Sequence, residues 1–104
     1  MGLTRTIPIP AGITPAWPSI AAALTQSGET PAIRMIDNLP AFPGETPTET
    51  WQDVRVGLSG GMVTFRRTET ELTCICWGAE DAKLKASFQA AVKACEAITG
   101  TKAN

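Results

Sequence analysis

The chain has 104 residues, a net charge of −1, and neither histidine nor tyrosine. That length suits one domain spanning residues 1–104 with a single modest core. So small a charge sets up no long-range field to gather phosphates, which removes nucleic acid as an expected partner. No apolar run approaches the roughly 20 residues that span a bilayer, and the opening MGLTRTIPIPAG lacks the apolar centre of a secretory signal. The expectation is a cytoplasmic protein with no membrane association.

The first six residues, MGLTRT, satisfy the short N-myristoylation pattern through Gly2 and Thr6. So few fixed positions arise easily by chance, and a single acyl chain without a polybasic patch anchors only marginally. Residues 1–13 are read instead as an extended, proline-containing arm. The two X-Pro steps of TIPIPAG disfavour helix and favour extended backbone, along a sheet edge or a neighbour.

A short helix follows in TPAWPSIAAALTQSG, with Thr14 and Pro15 as cap and first position and Gly28 as the stop. Trp17, Ile20, Ala21 and Leu24 share one side at helical spacing. Pro31 to Asp37, PAIRMID, reads as a strand. Residues 38–50 then hold three prolines and a glycine with no periodicity, which is a loop.

The second half alternates cleanly. Val54, Val56 and Leu58 in WQDVRVGL, and Val63 and Phe65 in MVTFRR, flank a glycine-rich turn and form a hairpin. Any even-length turn at TETE adds Leu72, Cys74 and Cys76 to the same apolar face. Leu84, Phe88, Ala91, Val92, Cys95 and Ile98 then form one stripe of a long amphipathic helix. Glu80 and Asp81 stand in its first turn and Gly100 at its end. The fold class is α+β: a two-layer, mostly antiparallel sheet of three or four strands with helices, in the order α-β-β-β-β-α.

The cysteines resolve as packing. Residues two apart on a strand have Cα atoms about 6.8 Å apart, at the limit for a disulfide, so Cys74 and Cys76 are not bridged. Cys95 projects from the helix towards them, but no histidine is present to complete a metal site. Buried thiols pack as small apolar groups. Without histidine, neither a Ser-His-Asp nor a Cys-His arrangement can form within one chain. Ser59 is a turn residue, and Glu69 and Glu71 sit at a hairpin tip. No catalytic residue, cofactor or metal ligand is assigned, and the reading leans away from an enzyme.

The remaining surface is the sheet face opposite the cysteines. It carries Arg55, Met62, Arg66, Ile75 and Trp77 among Asp53, Thr64 and Thr73. Apolar anchors beside arginines have the composition of a protein interface. Three coverings are open for it: another part of the chain, a second copy or other protein, or a small ligand. The leading expectation is a non-enzymatic protein that self-associates across this face. The alternative is a small-molecule binder or minor enzyme with a pocket near Trp77, Arg66 and residues 40–47.

Overall fold

A computed structural model describes residues 2–78 and 81–104. The chain is α+β, with two helices packed on one face of an antiparallel sheet. The strands are β1 (Leu3–Pro8), β2 (Ala32–Ile36), β3 (Leu39–Pro40), β4 (Asp53–Leu58), β5 (Gly61–Arg67) and β6 (Glu71–Cys76). Helix α1 (Trp17–Gln26) lies between β1 and β2, and α2 (Ala82–Thr99) follows β6. The sheet order is β1-β6-β5-β4-β2-β3. Six strands replace the three or four expected, and the element order becomes β-α-β-β-β-β-β-α.

The two added strands are where proline hid the pattern. The N-terminal segment pairs with β6, from Leu3 opposite Cys76 to Pro8 opposite Glu71. The Pro8 carbonyl turns away from β6 to accept from Thr101 Oγ1 at 2.6 Å. A strand residue's N–H and C=O point to the same side, so the missing proline N–H falls on the unpaired edge. Asn104 N also donates to the Thr6 carbonyl at 2.9 Å, so residues 101–104 cover part of that edge. At the other edge, the two-residue β3 comes from within the expected 38–50 loop.

Helix α1 starts later than its sequence suggests. Ala16 is the cap, in extended backbone, and Pro18 falls within the first turn, where a missing N–H costs nothing. Pro15 is buried ahead of the helix, and its carbonyl is committed to Arg67. Helix α2 ends at Gly100 as expected, in the left-handed conformation at φ 73°, but Asp81 lies ahead of the first turn as its cap, accepting from Leu84 N at 2.8 Å. The placement of Glu80 lies outside the described residues.

The β4–β5 hairpin closes on Ser59 and Gly60, with Leu58 opposite Gly61, and Arg67 pairs with Leu72 across the next turn. Both turns preserve the expected parity. Val54, Val56, Val63, Phe65, Leu72, Cys74 and Cys76 therefore join Trp17, Ile20, Leu24, Phe88, Val92 and Cys95 in one core between sheet and helices. Its aromatic centre is Trp17, edge-on to Phe65 at 5.3 Å and to Trp51 at 6.1 Å. Arg67 lies 4.5 Å over the Trp51 ring. It donates to three carbonyls, those of Trp51 (3.0 Å), Pro15 (2.5 Å) and Glu49 (2.7 Å). One guanidinium thus ties the start of α1 and the chain before β4 to the end of β5.

Candidate functional site

Strand parity builds the second face of the sheet. Asp53 faces Arg66, Arg55 faces Thr64, and Gly57 faces Met62 across β4 and β5. Thr64 faces Ile75 and Arg66 faces Thr73 across β5 and β6. The β1 partners of Ile75 and Thr73 are Thr4 and Thr6. Each of these residues alternates with a core residue, so all project away from the helices.

Ile75 marks the character of this face. It is only 6% exposed, yet it stands apart from the helix-side core to which the other buried apolar side chains belong. The exposed apolar area of this side lies on residues near it in register, Met62 at 42% and Trp77 at 70% exposed. A sheet face turned to water normally alternates to polar residues; this one carries a buried aliphatic and two exposed large apolar side chains. The register that pairs Thr64 with Ile75 places Met62 and Trp77 towards the same end of the sheet. Trp77 also lies beside the start of β1, where its ring stands 3.6 Å from the position a Gly2 Cβ would occupy.

The polar members are only partly satisfied. Arg66 Nε donates to Asp53 Oδ2 at 3.0 Å, so the Asp53 carboxylate pairs with Arg66 and not with Arg55. Among the described residues, three buried side-chain atoms lack a hydrogen-bond partner: Trp51 Nε1, Asp53 Oδ1 and Arg55 Nε. Two of those three are on this face, an acceptor and a donor two residues apart on β4.

A further arginine joins them through a bulge. The β2–β4 register passes from Ile33 opposite Val56 to Met35 opposite Arg55, leaving Arg34 as the extra residue. Ile33 therefore points to the core side and Met35 to the open side, although strict alternation would put them together. The Arg34 guanidinium reaches over Gly57, with Nε 3.4 Å from where a Cβ would stand. Glycine at that position leaves room for it. Arg34 and Met35 were not legible as face residues because PAIRMID gives no sign of the bulge.

The structure brings Arg55, Met62, Arg66, Ile75 and Trp77 onto one face, but not Trp77, Arg66 and residues 40–47 into one place. Arg66 is near the C-terminal end of β5, Trp77 follows the opposite end of the adjacent strand, and residues 40–47 follow β3 at the far edge.

Two buried polar clusters lie elsewhere. Glu29 accepts from Ser59 N (2.8 Å), Ser59 Oγ (3.0 Å) and Ser87 Oγ (2.9 Å), while Ser87 Oγ accepts from Gly60 N (2.9 Å). Burial pushes the Glu29 carboxyl up, but the Ser59 N–H and the two hydroxyls outweigh it and hold the group below its usual value. The cluster seats the β4–β5 turn against α2, so closely that a Cβ on Gly60 would run into the Lys83 carbonyl. On the core side, Cys74 Sγ and Cys95 Sγ are 3.7 Å apart and both fully buried. The hydrogen bond to Cys95 and burial push the Cys74 thiol well up, which keeps it protonated and unreactive. The thiol pair follows from Cys95 projecting towards the sheet; the Glu29 cluster was not anticipated, because Glu29 sits in a short connection, SGET, with no periodicity to mark it.

Compared with known proteins, the chain matches no family model, no curated sequence and no solved structure.

Proposed function

We propose that this protein acts by association, and that its partner is a second copy of the same chain docked on the open sheet face. Ile75 carries the reading: it is a buried aliphatic side chain on the side of the sheet away from the helices, bordered by exposed Met62 and Trp77. Covering that patch removes apolar area from water, the main favourable term in association.

The choice of a second copy rests on self-complementarity: a two-fold axis sets the same patch against itself, so the exposed Met62 and Trp77 of each copy cover one another. Arg66 and Arg34 then set orientation at the rim, where charges act more on register than on affinity.

Sedimentation velocity over a range of concentrations tests this, with circular dichroism confirming that each variant is folded. The wild-type 11.0 kDa chain is expected to double its mass as concentration rises. Trp77→Ala is expected to weaken the dimer more than Arg55→Ala or Arg66→Ala. A chain that stays monomeric at high concentration contradicts the proposal, and a dimer indifferent to Trp77→Ala places its interface elsewhere.

A further inference from the structure

A groove of about 310 Å³ runs between the edge strand β1 and helix α2, on the opposite side of the sheet from the face just described. Its floor is apolar: Phe88 and Val92 from α2, both nearly fully buried, and Leu3 from β1. Its rim is cationic. Arg5 stands on the strand side, and Lys85 and Lys93 stand one on each side of Phe88 and Val92 along the helix. Among the described residues, the one acid of the lining is Glu96, whose Oε2 accepts from Ala103 N at 2.7 Å. Arg5 is held over the groove by its Nε, which donates to the Asn104 carbonyl at 3.0 Å.

From this geometry we infer that the groove binds a small amphiphilic anion, with an apolar chain or ring against Leu3, Phe88 and Val92 and one anionic group between Arg5 and Lys93. An apolar floor with a few polar groups at its margin is the usual build of a small-molecule site. The charge selects among amphiphiles. Arg5 and Lys93, facing each other across the groove, favour an anionic head over a neutral or cationic one, although the chain as a whole is slightly acidic. The inference uses none of the sheet-face residues, so it stands or falls independently of self-association.

The test is a titration of the full chain with 8-anilinonaphthalene-1-sulfonate, followed by displacement with decanoate, decanol or decyltrimethylammonium. A saturable rise in fluorescence at one site is expected, reversed by decanoate, weakly by decanol and least by the quaternary ammonium. Lys93→Glu and Arg5→Glu each change an exposed side chain and are expected to weaken binding by up to about fivefold, the scale of an exposed ion pair. Added salt is expected to narrow that difference. Trp77→Ala is expected to leave the titration unchanged, which separates the groove from the exposed apolar residues on the other face. Absence of saturable binding, equal displacement by the cationic amphiphile, or loss of binding in Trp77→Ala instead of the charge reversals would each overturn the inference.

Discussion

Arg66 and Asp53 pair across β4 and β5 at 3.0 Å through a single carboxylate oxygen, while the other oxygen lies buried without a donor. The bond is one-sided in a second sense: the Arg66 side chain is 51% exposed and that of Asp53 only 10%. Solvent screens such a pair, and exposed pairs are worth about 0.2–1 kcal/mol. A double-mutant cycle on Arg66→Ala and Asp53→Ala in chemical denaturation is therefore expected to give a coupling energy no greater than about 1 kcal/mol. A larger value would show the pair to be shielded from water within the isolated chain.

Phe88 stands near the middle of α2 and faces the sheet, 4% exposed in the shared core. Phe88→Ala removes both its transfer energy and its neighbours' contacts, and is expected to cost about 3–5 kcal/mol. Melting and urea unfolding measure it. Unchanged stability would mean that α2 does not pack by this stripe.

Arg67 is expected to resist even a conservative change. Lysine carries the charge but neither the flat surface that covers Trp51 nor a fork that reaches three carbonyls. Arg67→Lys is expected to destabilise by about 1.5–3 kcal/mol, the range of a hydrogen bond to a charged group. The loss should also appear as a changed environment for Trp51 in near-ultraviolet circular dichroism. A variant with wild-type stability and spectrum would contradict the role assigned to the guanidinium.

The alternating half of the chain was readable because strand period, turn parity and helix period all agree there. Val54 through Cys76 fixed one core surface whichever two residues closed the hairpin, and the stripe from Leu84 to Ile98 fixed the helix above it. What eluded the sequence has local physical causes. Residues 1–13 were read as an extended arm for a sheet edge or a neighbour but not as a counted strand, because an edge strand tolerates the missing Pro8 N–H only on its open side, and that side is defined by pairing with β6, remote in sequence. Arg34 and Met35 were hidden by a bulge, and Arg67 by its resemblance to a solvated strand-end cation. The open face was legible through Arg55, Met62, Arg66, Ile75 and Trp77, whose alternation with core residues is unbroken. The groove between β1 and α2 was not, since it needs β1 to exist.

Glu29 gives the stability a defined acid dependence. Its carboxyl is held below its ordinary value of 4.5, so the folded state binds that proton less readily than the unfolded chain. The resulting stabilisation is fully present above the unfolded value and is lost as pH falls from about 4.5 through the lower folded value. Wild type is expected to melt higher than Glu29→Gln at neutral pH, with the gap closing below that point. A gap that stays constant from pH 7 to pH 3 would mean that the charge on Glu29 contributes nothing.

All three thiols are buried, and the raised pKa of Cys74 withholds the reactive thiolate. Native protein at neutral pH is expected to react with a thiol reagent only as fast as it opens, and to yield three modified cysteines once denatured. Rapid native labelling of Cys74 or Cys76 would place them outside the helix-side core.

The central claim concerns one face, and hydroxyl-radical footprinting with mass spectrometry reads it directly, because Met62 and Trp77 are intrinsically reactive side chains exposed on it. Phe42, 79% exposed in the loop that follows β3 at the far edge of the sheet, serves as an internal control. Comparing dilute and concentrated wild-type protein, the account predicts that modification of Met62 and Trp77 falls together as mass doubles, while that of Phe42 stays constant. Doubled mass with Met62 and Trp77 as reactive as in the dilute sample would contradict it.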